Sequence, residues 1–394
     1  MTINNFDQSN LIKLVKLITS NIKNREEKKA KWASLRKENH DLIERLIGVS
    51  GLNIPNSTSL FGFDIDEERK LILLNYSGQA HNVLHDYLGG WSSELRSMRG
   101  LIYSYEKEIK LVSRSFEKFF NSNELPENMI NNLFNKFGKD TPYEAREKAD
   151  GHMIQFFEHN NELLATTRGK FGTASALEAL TLLDKNTWNI IKGIYNSSGY
   201  KLMTLTAEIC TPNTKVFVDY NGKSTLFLLT AYDYQGNKIE DNSLFKNISK
   251  ISNLFSVPKT KTFTLSEIVK EVQNRNVKNN EGWVINLNGY LVKFKYETYI
   301  GMMVNDKLSY KYIMQCIIND RLDKMLMTLP EEVMKSAYEM EVLVKEKLKK
   351  VKETNSKNHL YDLWSDKEGS KPYYRTICRN FIKFSFAWRK YDDK

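Results

Sequence analysis

The chain has 394 residues, 41% of them hydrophobic and 27% charged, enough apolar material for two domains with room for an appended segment. Lys and Arg number 58 against 48 Asp and Glu, a formal net charge of +10 that suits a polyanionic partner such as RNA. No apolar run is long enough to cross a bilayer and the opening residues do not read as a leader. Cys210, Cys316 and Cys378 are widely separated, which excludes a disulfide-built secreted domain and fits a reducing, cytoplasmic setting; neither they nor the six histidines form a zinc pattern.

In chain order, Leu11, Leu14, Val15, Leu17 and Ile18, then Leu42, Ile43 and Leu46, repeat at helical spacing and stop at Gly48. The Lys and Glu run from Lys23 to Lys37 reads as a solvated helix face. Short β-prone runs then alternate with turns at residues 71–76, 100–103, 109–113, 153–157, 163–167 and 226–231, interrupted by helical patterns at 127–137 and 174–183. After Met302 the pattern turns helical over 310–327 and 331–352, followed by a loop at 355–358. Residues 373–390 interleave basic and aromatic side chains, a mixture that stacks bases or packs as a last helix. The expectation is an α+β protein with three parts: a helical lead-in (1–49), a domain of antiparallel sheets with flanking helices (50–302) and an all-helical C-terminal domain (303–394).

The segment Glu147, Lys148, Ala149, Asp150, Gly151, His152 is a Lys-x-Asp-Gly element running into a strand. A lysine amine is a poor nucleophile at pH 7, where about one in a few thousand is unprotonated. Desolvation or neighbouring cations must therefore act on Lys148 if it is to attack a phosphorus atom. Downstream, Glu281, Gly282, Trp283, Val284 and Ile285 lead through an Asn-Leu-Asn-Gly turn into Leu291, Val292, Lys293, Phe294 and Lys295. Strand alternation puts Lys293 and Lys295 on one face, where an anion such as a triphosphate would relieve their repulsion. Glu208 interrupts an uncharged β-prone stretch, where an unpaired carboxylate is costly. Arg99 precedes the strand-like Gly100 to Tyr103, and Lys118 lies in Glu117, Lys118, Phe119, Phe120, Asn121. Read singly, each is equally an ordinary strand or turn with a solvated charge.

Together, the order Arg-Gly, Glu-Lys-Phe-Phe-Asn, Lys-x-Asp-Gly, Glu-x-x-x-Pro-Asn, Glu-Gly-Trp-Val and Lys-Phe-Lys resembles the type-1 phage RNA ligases, ATP-dependent enzymes of the covalent nucleotidyltransferase superfamily, over roughly residues 65–330. The resemblance implies an ATP-grasp-like nucleotidyltransferase domain. Lys148 would be the nucleophile that accepts AMP, presented by Asp150 and Gly151, with Glu208 on the ribose. Glu281 would sit at a metal ion, and Lys293 and Lys295 on the α-phosphate. Arg99 and Lys118 would hold the departing pyrophosphate, and Arg168, before Gly169, stands where the family more often has lysine. Tyr76 and Tyr299 fall at tyrosine positions of the family, and Asp323 at an acidic one with a metal role. His152 stands in place of the usual serine and Ala207 in place of an aromatic.

The resemblance further implies ATP and Mg²⁺, with Mn²⁺ able to substitute, and a monomer that joins 5′-phosphate and 3′-hydroxyl RNA ends, cleaved tRNA among them. Two alternatives stay open: a DNA ligase or GTP-using capping enzyme on the same chemistry, and a catalytically silent RNA-binding protein on the same scaffold.

Overall fold

The apolar spacing at the start of the chain resolves into three helices, α1 (Ser9–Asn21), α2 (Arg25–Glu38) and α3 (His40–Ile47). The break before α2 is local: the side chain of Asn24 accepts the Glu27 N–H at 2.8 Å, which caps the new helix. The Lys and Glu run is solvated on one side only, because Trp32 and Leu35 of α2 are buried with Leu11, Leu14, Leu42 and Leu46.

In the computed structural model, residues 8–48, 60–78, 91–122 and 129–307 are described, with isolated positions between 80 and 124 and between 333 and 346. The expected C-terminal helices (apart from isolated helical positions from Val333 to Glu346), the basic aromatic stretch 373–390 and Asp323 lie outside the described residues. The chain divides into two compact units, Met1–Tyr299 and Ile300–Lys394, and the sheets below all belong to the first.

Strands β1 (Phe61–Asp66), β2 (Leu71–Tyr76), β3 (Arg99–Ser104) and β4 (Lys110–Ser113) form an antiparallel meander in that order, and the short α4 (Ser93–Ser97) leads into β3. Alternation sorts its residues: Ile72, Leu74 and Leu101 share a core with the N-terminal helices, while Leu71, Leu73 and Ile102 meet Phe157 and Leu164 of a second sheet. That second sheet runs β11 (Phe255–Ser256), β10 (Thr225–Asp233), β9 (Leu202–Cys210), β7 (His152–His159), β8 (Glu162–Thr167). Its far face is closed by α6 (Ala174–Leu182), α7 (Lys185–Ser197) and α8 (Asn242–Ser249), which bury Trp188, Ile191, Tyr195 and Phe245 against Ile154, Phe156 and Leu205.

The third sheet runs β12 (Thr260–Thr264), β6 (Pro142–Glu147), β13 (Gly282–Leu287), β14 (Tyr290–Lys295), β5 (Phe120–Asn121). The hairpin β13–β14 turns at Asn288 and Gly289 and pairs Gly282 with Lys295 and Val284 with Lys293. Helices α5 (Ile130–Phe137), α9 (Leu265–Val272) and α10 (Glu297–Lys307) complete the described α-helices, and a 3-10 turn spans Pro212–Thr214. The sheets are not wholly antiparallel as expected: β10 pairs β11, and β14 pairs β5, in parallel. The second of these ties the Glu-Lys-Phe-Phe-Asn segment to the lysine strand, through Val292 opposite Phe120 and Lys293 opposite Asn121.

The first two sheets are also joined through buried polar groups. Gln155 of β7 is fully buried; its amide donates to the Gly100 carbonyl at 2.8 Å and accepts from Ser113 Oγ at 3.0 Å. Thr204 of β9 donates to Ser113 at 3.1 Å. A Gln155→Met substitution keeps the side-chain length but strands these partners, so stability should fall by about 1–3 kcal/mol. A lower urea midpoint at unchanged slope would record it.

Candidate active site

β6 belongs to the third sheet and β7 to the second, so the loop 148–151 crosses from one sheet to the other. Its path is fixed at each residue. The Lys148 N–H donates to the Gly282 carbonyl at 2.9 Å, extending the β6–β13 pairing. The carboxylate of Asp150, only 3% exposed, accepts the Phe217 and Val218 N–H groups on one oxygen (2.9 and 2.8 Å) and the Tyr299 hydroxyl on the other (2.6 Å). The Asp150 N–H donates to Tyr220 Oη at 2.8 Å. Gly151 passes so close to β9 that a Cβ there would lie 2.2 Å from the Ile209 carbonyl oxygen, which no side chain permits. Gly282 is equally constrained, since a Cβ would lie 2.1 Å from the Phe294 carbonyl oxygen.

At the centre is a buried carboxylate with two cations. Glu281, 3% exposed, accepts from Lys148 Nζ at 2.7 Å on one oxygen and from Lys295 Nζ at 2.9 Å on the other. Burial alone would raise its carboxyl; the two ammonium groups outweigh that and hold it below the ordinary range. Glu281, expected at a metal ion, is thus occupied by the lysines, a neutralisation that a carboxylate this deep requires. Glu208 on β9 is pushed up to about 7, first by burial, with Lys148 opposing, Glu281 adding, Arg99 opposing and Asp150 adding.

The remaining cations gather on aromatic rings. Arg99 and Arg168 both donate to the Tyr76 hydroxyl, at 2.8 and 2.5 Å, and Arg168 lies 4.6 Å from the centre of that ring. Lys118, 3% exposed, sits among Tyr76, Trp91 and Phe120 at 5.1, 5.1 and 4.7 Å. Lys293 lies 5.2 Å from Phe119, and Arg99 4.9 Å from Phe116. The structure therefore brings Lys148, Asp150, Gly151, Glu281, Lys293 and Lys295 into one neighbourhood, with Glu208 electrostatically coupled to it, and gathers Tyr76, Arg99, Lys118 and Arg168 into a second, to which Glu208 is linked through Arg99.

Beside the loop lies a cavity of about 330 Å³, lined by Glu147, Lys148, Tyr220, Phe227, Asn279 and Asn280 among others. Tyr220, Asn279 and Asn280 were not singled out from the sequence, although both asparagines directly precede Glu281. Asn279 exchanges hydrogen bonds with the backbone of Asp219 (2.7 and 2.9 Å), and Asn280 holds Glu147 at 2.8 Å and the Gly282 N–H at 2.9 Å. The two amides thus tie the start of β13 to the end of β6 and to the loop at Asp219. Its size falls within the small-molecule range and its aromatic, amide and carboxylate lining suits a purine. Among the described residues no group of three or more His, Cys, Asp or Glu is arranged to hold a metal ion. Mg²⁺ asks for less, one or two carboxylates plus phosphates and water. Glu208, crowded by Glu281 and Asp150, is a carboxylate whose strain a divalent cation would relieve.

The RNA ligase family model matches residues 97–300, more than half of the chain. The chain belongs to the RNA ligase family. A protein of Autographa californica nuclear polyhedrosis virus described as a bifunctional polynucleotide kinase/RNA ligase is 26% identical over 309 residues, 73% of this chain and 42% of the relative. The chain spans less than half the length of that relative. Among solved structures, a Naegleria gruberi RNA ligase with ATP and Mn is 18% identical, covering 44% of this chain and 56% of its own, with a TM-score of 0.34. An archaeal ATP-dependent RNA ligase is 14% identical, covering 78% and 79%, with a TM-score of 0.43.

The raised Glu208 carboxyl predicts a pH dependence for this member of the RNA ligase family. In the folded state the group holds its proton to about pH 7, against about 4.3 when unfolded. Its favourable contribution is complete below about pH 4 and is lost as pH rises through 7. Glu208→Gln should therefore melt above the parent protein at pH 8, with the difference shrinking steadily as pH is lowered toward 4.

Proposed function

We propose that this chain is an ATP-dependent RNA ligase that carries AMP on Lys148 and joins a 5′-phosphate to a 3′-hydroxyl. The observation that carries the reading is Lys148, paired to Glu281 beside Lys295, at the edge of a cavity of about 330 Å³. Phosphoryl chemistry of this kind asks a protein for position and charge more than for covalent work.

In the first step the Lys148 amine, having lost a proton and parted from Glu281, forms a P–N bond to the α-phosphorus. The bond from that phosphorus to the bridging oxygen breaks, and pyrophosphate leaves with the electron pair. Lys295 keeps Glu281 neutralised while Lys148 reacts, and with Lys293 it faces the α-phosphate. Arg99, Arg168 and Lys118 receive the charge of the pyrophosphate. Glu208, with help from Glu281, would hold Mg²⁺, or Mn²⁺ in its place, which would supply further neutralisation of phosphate charge. Asp150 moves no proton; its three accepted hydrogen bonds keep the loop in place. An RNA 5′-phosphate then displaces Lys148 from AMP, and a 3′-hydroxyl displaces AMP from the RNA. The charge of +10 supports an RNA partner. In this reading the enzyme is a cytoplasmic monomer, its segment 303–394 sets the preference among RNA ends, and breaks in tRNA are among its substrates.

Incubation with α-labelled ATP and Mg²⁺ should leave label on the protein, and Lys148→Ala should leave none. Label on that variant, or transfer from α-labelled GTP in preference to ATP, rejects the assignment. Sealing of DNA nicks in preference to RNA ends rejects the substrate. Lys295→Ala should keep its fold, because Lys148 still neutralises Glu281, yet lose label transfer by about a hundredfold or more. Undiminished labelling would return Lys295 to a structural role.

A further inference from the structure

Arg96 enters none of the roles above. It lies in α4, three residues before Arg99, and its carbonyl accepts the Lys118 N–H at 2.9 Å, so the backbone itself sets Arg96 beside Lys118. Its guanidinium lies 5.4 Å from the centre of the Phe120 ring, the same ring that Lys118 faces at 4.7 Å. The rings continue without a gap: Phe120 meets Trp91 at 5.5 Å and Trp91 meets Tyr76 at 5.3 Å. Tyr76 in turn carries Arg99 and Arg168. Four cations are thus strung along three aromatic rings.

Like charges so gathered repel, and the rings offset only part of that, about 0.5–2 kcal/mol for each cation. Among the described residues, none of Arg96, Arg99 and Arg168 is paired with a carboxylate. Moreover, the Nε groups of both Arg96 and Arg99 are buried with no hydrogen-bond acceptor among the described residues. A buried donor left open is costly, and beside the other cations of this cluster it suits a ligand that brings several acceptor oxygens and multiple negative charge.

We infer that Arg96 is a phosphate-binding residue of this site, acting with Arg99 and Lys118 on the β- and γ-phosphates of the nucleotide and on the pyrophosphate they become. This rests on the ATP reading above. It assigns Arg96 to one step of the cycle. In that step pyrophosphate leaves as Lys148 gains AMP; in its reverse, a pyrophosphate oxygen attacks the α-phosphorus, the P–N bond breaks and Lys148 recovers a proton. Sealing of RNA that already carries AMP involves no pyrophosphate, and there Arg96 has nothing to bind.

The test uses the full chain with Arg96→Ala and Arg96→Lys. Three rates are read: label transfer from ATP at varied concentration, release of ATP from labelled enzyme by added pyrophosphate, and sealing of pre-adenylylated RNA without ATP. Arg96→Ala should raise the KM for ATP and slow the pyrophosphate reaction, each by about tenfold to a hundredfold, the worth of a charge-assisted hydrogen bond. Sealing of pre-adenylylated RNA should change by less than about twofold. Arg96→Lys keeps the charge without the planar fork and should fall between the two. An unchanged pyrophosphate reaction overturns the inference, as does a sealing defect as large as the adenylylation defect, which marks a structural role. Should Arg96→Ala not fold, Arg96→Lys decides alone: wild-type behaviour in both nucleotide assays overturns it. Wild-type enzyme that takes no label from ATP removes the ATP reading itself, and the role of Arg96 with it.

Discussion

Everything at this site depends on one constraint: a carboxylate cannot stay ionised in the interior without compensation. Glu281 meets it by holding Lys148 and Lys295 at once. The consequence runs both ways. The two lysines come from different parts of the chain, one from the loop after β6 and one from the end of β14, and the carboxylate fixes both side chains. In the proposed mechanism Lys148 must part from this counter-ion before it reacts, and is so kept from reacting with anything that does not displace it. Lys295, which stays behind, makes that parting tolerable, since a buried charge abandoned outright costs about 3–5 kcal/mol.

The sheets are arranged to make this contact. Lys148 stands where the chain leaves one sheet for another, Glu208 rises from the second sheet, and the Glu281–Lys295 hairpin belongs to the third. The first sheet brings Arg99 and Tyr76, and Gln155 locks it to the second through the Gly100 carbonyl, next to Arg99. The position of Arg99 relative to Lys148 is therefore set in part by a glutamine with no hydrogen bond to either.

Much of this was legible in the chain because strand alternation is a strict code. A period of two put Lys293 and Lys295 on one face and Val292 and Phe294 on the other, and Val292 and Phe294 are buried while the Lys295 side chain is covered on its own face by its pairing with Glu281. The Asn-Gly turn marked the hairpin for the same reason. What stayed hidden was set by distance along the chain. Tyr220 supports the loop 148–151 from seventy residues away, and Trp91 completes the ring cluster from a stretch with no alternation to read. A tyrosine or an asparagine carries no charge that must be explained, so neither Tyr220 nor Asn279 and Asn280 announced itself. Glu281 was visible as a functional carboxylate, but sequence could not say that two lysines stand at its oxygens. Helix α7 is a different case, since Trp188, Ile191 and Tyr195 do follow helical spacing.

Tyr299 gives the site a definite outer limit. It is the last residue of the first compact unit, and its hydroxyl is what the second oxygen of Asp150 accepts. A shortened chain that stopped at the end of β14 would retain every charged residue of the first unit discussed above, yet leave that oxygen bare in a place water scarcely reaches. The smallest piece able to hold the loop 148–151 in order must run past the lysine strand and include Tyr299, so trimming by motif alone would cut too soon.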